Sequence, residues 1–229
     1  MKFAVVGYGK MGRAIDDVAR ARGHRRVAVV DRSGSLARAR LGGADVAFEF
    51  TEPSAARAHV LTLLERGVSV VCGTTGWESD AAELGKAARR GRAGAIVAPN
   101  FSVGVNLFYA VVREAAERYL RAGGYDPWIA EWHHKAKRDA PSGTARRLAA
   151  IVREEDVPVA SVRAGHEPGR HAVGFDGVHD AVVLTHEARG REAFAEGAVL
   201  AAEWLDGRKG LHDFDAVLSD LVKGRGGRR

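Results

Sequence analysis

Lys2-Phe3-Ala4-Val5-Val6-Gly7-Tyr8-Gly9-Lys10-Met11-Gly12 decides how the rest of the chain is read. An apolar, β-branched run ends in glycines spaced G-x-G-x-x-G and passes straight into residues of helical texture. That order of strand, tight turn and helix is the one a dinucleotide-binding loop requires. Gly7 permits the turn, Gly9 lets the main chain approach a pyrophosphate, and Gly12 allows close helix-strand packing. Tyr8, Lys10 and Met11 complete the loop as candidate cofactor contacts, with the first helical N–H groups and the dipole facing the phosphates. The motif alone is weak, because glycine turns between strand and helix also occur for structural reasons.

The residues that follow strengthen it. A second strand ends in Val29-Val30-Asp31-Arg32, which puts an acid 19 residues beyond Gly12, where a ribose 2′-hydroxyl is bound in such folds. Arg32, with Arg13, offers a 2′-phosphate an alternative partner, so NADH and NADPH are both compatible. Strands are expected at 2–6, 27–31, 46–50, 68–72 and 95–98, with helices at 11–22, 54–66 and 79–90 between them. Near-continuous apolar strands alternating with helices predict a doubly wound, Rossmann-like parallel α/β sheet. On its ligand-binding edge lie Gly73, Thr74, Thr75 and Gly76, then Ala98, Pro99, Asn100, Phe101 and Ser102, as further candidate cofactor contacts.

Beyond residue 103 the pattern changes. A periodic helix at 104–121 is followed by a strand at 128–132. Strands at 159–163, 171–175 and 181–187 alternate apolar with polar residues, predicting a smaller α+β domain with an open mixed sheet and one wet face. Helices at 191–206 and 213–222 close the chain. The expected division is a dinucleotide-binding domain at 1–103, to which 191–229 returns, and a substrate-binding and tetramerisation domain at 104–190.

The second domain carries the densest chemistry, from Glu131-Trp132-His133-His134-Lys135 through Lys137-Arg138-Asp139 to Pro141-Ser142-Gly143-Thr144-Ala145. Histidine exchanges protons near neutral pH, and a lysine among other cations has its pKa lowered toward the same range. Ser142, Gly143 and Thr144 read as a turn entering a helix whose first N–H groups can hold a carboxylate. No metal is expected, because adjacent histidines in an extended strand point to opposite faces. A solvated basic loop is the bland alternative to an anion-binding, proton-donating site.

Bulk properties narrow the setting. The 229 residues are 46% hydrophobic, with one cysteine and a formal charge of +6. A single thiol in an apolar run, Cys72, reads as inert core, and the absence of an internal disulfide suits a reducing, cytoplasmic compartment. Met1 leads directly into a strand, so no signal peptide and no membrane location are expected. Much of the excess charge sits in Arg25-Arg26 and in a Gly/Arg-rich tail from Lys223 to Arg229, which reads as a solvated surface and frayed end rather than a nucleic-acid patch.

With these residues in view, the sequence resembles the 4-hydroxy-tetrahydrodipicolinate reductase (dihydrodipicolinate reductase) family over nearly its full length. Its marks are the Gly7–Gly12 loop, Phe50-Thr51-Glu52-Pro53, Gly73–Gly76, Asn100 to Asn106, the Glu131 to Ala145 segment, Thr185-His186 and Phe194 to Ala198. The most specific is Glu-x-His-His-x-x-Lys-x-Asp-x-Pro-Ser-Gly-Thr. The resemblance implies reduction of a small dicarboxylate with NADH or NADPH in diaminopimelate and lysine biosynthesis. It places the proton donor on His133, a second donor on Lys137, a substrate contact on His134, and carboxylate-holding groups on Gly143 and Thr144. It also implies a homotetramer built through the second domain's sheet. The sequence departs from the family's usual pattern in a shorter 31–45 segment, in Trp132, and in Glu49 where aspartate is usual. Competing readings are another two-domain nicotinamide-dependent amino-acid or sugar dehydrogenase, and a non-catalytic nucleotide-sensing module that binds DNA.

Overall fold

A computed structural model describes residues 1–31, 34–77, 80–152 and 157–224. The chain divides into two compact units, Met1–Val103 with Arg191–Arg229, and Gly104–Gly190. Arg32 and the Arg225–Arg229 end of the basic tail lie outside the described residues.

In the first unit β1 (Lys2–Val6), β2 (Arg25–Val30), β3 (Val46–Glu49), β4 (Ser69–Cys72) and β5 (Gly94–Val97) alternate with α1 (Lys10–Ala21), α2 (Pro53–Glu65) and α3 (Ala81–Gly91). These strands pair only in parallel, as near-continuous apolar runs require. A sixth strand, β10 (Gly210–His212), extends the sheet to the order β10-β5-β4-β3-β1-β2. The strand order reverses between β1 and β3, and the glycine loop sits at that switch point.

Both faces of the sheet are covered, each by its own core. On one, Phe3, Val5, Phe48 and Ile96 meet Ile15 and Ala19 of α1 with Ala198 and Val199 of α6 (Glu192–Trp204) and Val217 of α7 (Phe214–Val222). On the other, Val70 and Ala95 meet Val60, Leu63 and Leu64 of α2 and Leu84 of α3. The C-terminal helices thus supply a layer that the first domain's own helices leave open. The short 34–45 segment forms no helix or strand. It is anchored by burying Leu36 and Leu41 and by Arg66, which donates to the Leu36 and Ala39 carbonyls at 2.9 and 2.8 Å.

The second unit packs α4 (Val103–Ala122) and α5 (Gly143–Val152) on a sheet of order β7-β6-β8-β9, formed by β6 (Tyr125–His133), β7 (Val159–Arg163), β8 (Arg170–Gly177) and β9 (Ala181–Glu187). β6 pairs parallel with β7, while β6-β8 and β8-β9 are antiparallel. β6 accommodates Pro127 because β7 starts opposite Ile129, so no bond to β7 is lost there. β9 alternates as expected. β8 instead is buried continuously from His171 to Phe175, because side chains of β6 lie flat over it: a Cβ at Gly174 would meet the Trp128 ring at 2.1 Å.

Candidate active site

The glycine loop separates two kinds of glycine. Gly7 has φ of +92°, and a Cβ there would lie 2.2 Å from the Phe50 carbonyl oxygen; one at Gly12 would lie 2.1 Å from the Gly7 oxygen. The fold itself forbids side chains at both. At Gly9 a Cβ would meet nothing within 4 Å. The fold itself does not need glycine at position 9, and the space beside the main chain there is open. Gly9 is the N-cap of α1 and makes no side-chain cap, and the first turn carries no acid, so Lys10 and Met11 start a helix with amides open to an anion.

Tyr8 is tied down. Its hydroxyl donates to Asp16 Oδ2 at 2.6 Å and accepts from Arg26 at 2.7 Å, while the Arg13 and Arg26 guanidiniums lie 5.5 and 5.4 Å from its ring centroid. Asp31 directly follows β2 and is exposed. The other two loops turn part of their chemistry inward. The Thr74 hydroxyl donates to Glu49 Oε2 at 2.6 Å and accepts from the Thr51 N–H at 2.8 Å, so Thr74 stitches the β3 and β4 loops together, whereas Thr75 is exposed. A Cβ at Gly73 would meet the Phe50 ring at 2.1 Å. Ala98 and Phe101 are buried, and Phe101 stacks edge-on against Phe214 with ring centroids 5.1 Å apart. Pro99 is exposed, and Asn100 Oδ1 accepts from the Ser102 N–H at 2.8 Å. Cys72 is fully buried and donates to Glu49 Oε2 at 3.1 Å; burial and that carboxylate push its thiol pKa up, as inert core requires.

In the second unit His133, His171, Arg163, Ser142 and Ser161 converge on Glu131, the first residue of the motif. Glu131 Oε1 accepts from the Ser142 N–H at 2.9 Å, the Ser161 hydroxyl at 2.6 Å and Arg163 at 2.7 Å. Burial raises the Glu131 pKa, but these hydrogen bonds to the charged form win and bring it down to about 2. Its other oxygen, Oε2, stands 3.4 Å from His133 Nδ1 and 3.5 Å from His171 Nε2. All three side chains are buried. Burial pushes the His133 imidazolium below the ordinary histidine range; Lys137 and Arg163 add to that and Glu131 opposes it. His171 falls further, to about 4.

Lys137 pairs with Asp139 at 2.8 Å. His134 is half-buried and lies just past the end of β6. The Ser142 hydroxyl is buried: it accepts from the Ala145 N–H at 3.1 Å, capping α5, and lies 3.1 Å from His171 Nε2. Gly143 is exposed with open space where a Cβ would stand, and Thr144 is half-buried beside it. His133 also lines a cavity of about 300 Å³ with Trp132, Val162, Ala164, Gly165, His166 and Glu167. The ligand atoms of Glu131, His133 and His171 lie within 4.8 Å of one another, a spacing that suits a divalent ion. Adjacent histidines on opposite faces do not exclude this set, which comes from two strands, but Arg163 already supplies the counter-charge to the same carboxylate.

Family models for the N-terminus and C-terminus of dihydrodipicolinate reductase match residues 1–101 and 104–218. The chain belongs to the dihydrodipicolinate reductase family. It is 34% identical to the 4-hydroxy-tetrahydrodipicolinate reductase of Christiangramia forsetii, covering 97% of this chain and 100% of that one, and 37% identical to that of Ralstonia nicotianae, covering 95% and 99%. Among solved structures, a dipicolinate-bound dihydrodipicolinate reductase from Paenisporosarcina shares the fold at a TM-score of 0.77 and 24% identity, covering 93% of this chain and 97% of that one. An amine dehydrogenase from Mycobacterium smegmatis does so at 0.62 and 13%, covering 94% and 95%. Such a family member is an oxidoreductase with an NAD(P)-binding first domain, which matches the open Gly9 cradle. Among the described residues no helix is long and apolar enough to cross a membrane.

Proposed function

We propose that the chain reduces 4-hydroxy-tetrahydrodipicolinate to tetrahydrodipicolinate with NADH or NADPH, in diaminopimelate and lysine synthesis. When bound, the reduced cofactor supplies a hydride to the substrate. The residues that hold it are the Gly7–Gly12 loop with the first amides of α1 for the pyrophosphate, Asp31 and Arg32 for the adenosine ribose, and Gly73 to Thr75 with Ala98 to Phe101 for the ribose and nicotinamide. Inward-turned Thr74 and Phe101 serve by shaping these loops, through backbone rather than side chain.

The observation that carries the reading is the buried Glu131-His133 pair, adjoining a helix start that presents donors at Gly143 and Thr144. His133 delivers a proton from its ring to the substrate carbon skeleton, and Lys137 acts as the second donor. His134 contacts the substrate. Gly143 and Thr144 hold a carboxylate through N–H and hydroxyl, and Ser142 keeps that helix start in place by capping it. A cytoplasmic location and a homotetramer assembled through the second unit's sheet complete the proposal.

A coupled assay that generates the substrate enzymatically and follows reduced-cofactor loss near about 340 nm, run with NADH and NADPH in turn, tests it. Substrate-dependent oxidation of either cofactor is expected. Cofactor binding without such oxidation, or oxidation only with an unrelated keto acid or imine, overturns it.

A further inference from the structure

We infer that Glu131 and His171 are positioning residues that hold the His133 ring with Nδ1–H toward the buried carboxylate, making Nε2 the nitrogen that exchanges a proton with substrate. The inference rests on the reading of His133 as the donor.

Glu131 and His133 are two residues apart on β6 and so share a face, and His171 stands opposite Glu131 in the β6-β8 register. With Oε1 saturated by three donors, Oε2 is left facing the two histidines. Glu131 Oε2 and His133 Nδ1 are both buried without a strict hydrogen-bond partner. A proton on Nδ1 pairs these two atoms at once; a lone pair there would set acceptor against acceptor in a dry site. His171 packs edge-on against the His133 ring, centroids 5.0 Å apart at 74°, and restricts its rotation. On the far side of that ring a Cβ at Gly169 would lie 3.2 Å from Nε2, so a glycine borders the exchanging nitrogen. Because the Ser142 N–H binds the same carboxylate, Glu131 also couples the donor to the carboxylate-holding start of α5.

The charged and titratable groups around His133 are Glu131 on its own strand, Lys137 and Asp139 after it, Arg163 from β7, His171 from β8, and His166 and Glu167 across the cavity it lines, with His186 of β9 acting on His171. Three variants of the full chain separate these influences: Glu131→Gln, His171→Phe, which keeps ring volume, and His171→Gln, whose amide nitrogen can stand where Nε2 lies. His133→Gln serves as the reference. The tautomer of His133 is read by long-range proton-nitrogen NMR on ¹⁵N-histidine protein, independently of turnover.

Wild-type His133 is expected to carry its neutral-form proton on Nδ1. Glu131→Gln should lower kcat about 100-fold with the KM for reduced cofactor unchanged, and should move the alkaline fall of kcat/KM to lower pH. His171→Phe should mix the tautomers and cost about tenfold, and His171→Gln should recover to within about threefold of wild type. If Glu131→Gln does not fold, the two His171 variants decide. An Nε2–H neutral form in the wild type, or an unchanged tautomer and pH profile in the variants that fold, overturns the inference. Normal turnover by His133→Gln overturns the donor reading instead.

Discussion

Glu131 and His171 stand directly opposite each other on β6 and β8, and the histidine nitrogen comes within 3.5 Å of the carboxylate. Burial, with His133 and other cations nearby, holds His171 neutral down to about pH 4, although Glu131 pulls the other way. The unfolded chain protonates this histidine near its ordinary pKa of about 6.5, so the stabilisation from keeping it neutral is complete above that pH. It drains away as pH falls from about 6.5 to about 4, by up to about 3 kcal/mol. The Glu131 contribution, from a carboxylate lowered to about 2, is present above its unfolded pKa and lost only on further acidification. Urea unfolding from pH 7.5 to 4.5 should show stability falling with pH, and His171→Gln should flatten the upper part of that fall. An unchanged slope in the variant would contradict the assignment.

His133→Gln and Lys137→Ala should each reduce kcat about 100- to 10,000-fold, because each removes a group proposed to donate a proton. Cofactor affinity, measured by fluorescence titration of NADH, should stay within about twofold, since the dinucleotide-binding residues lie in the other unit. For Lys137→Ala, freeing Asp139 from its ion pair should add little destabilisation, because the aspartate is exposed.

Gly9→Ala and Gly12→Ala should part company. The first adds a methyl into open space and should fold within about 0.5 kcal/mol of wild type while weakening cofactor binding about tenfold or more. The second drives a Cβ into the Gly7 carbonyl and should destabilise by about 2 kcal/mol or more. Thermal melts with and without NADH would read both effects.

Glu49→Ala should weaken the cofactor-side loops. Glu49 is fully buried and receives Thr74 and Thr51 hydroxyls and the Cys72 thiol, with His59 Nδ1 3.2 Å away. Removing it orphans those groups, with an expected cost of about 2–3 kcal/mol and a raised KM for reduced cofactor at little-changed kcat. Equal loss of kcat and no change in KM would mean the loops are held by something else.

Much of this protein was readable locally. The alternation of apolar strands with helices in the first hundred residues announced a parallel sheet, and the glycine spacing marked the turn between its first strand and first helix. β10 was not readable: Gly210-Leu211-His212 is too short to carry a periodic signal and becomes a strand only by pairing with β5. His171 was missed for a related reason. It sits in an apolar run with no motif around it, and antiparallel pairing alone brings it across from Glu131. A search for titratable residues able to pair opposite the Glu-x-His step would have found it. Ser142, Thr74 and Phe101 stood out in the sequence as candidate site residues, but which way each side chain turns had no local signature.

The amino-acid order alone determined the fold class, the glycine loop and the inventory of acid-base groups, because these depend on side-chain period, backbone freedom and chemical type within short windows. Tertiary structure decided that Glu131 draws His133 together with His171, that one of its oxygens is spent on β7 and the start of α5, and that the other is left to those two histidines. Those outcomes depend on cross-strand register and on burial, which depend on how distant segments pair and pack and leave no mark within one short stretch of sequence.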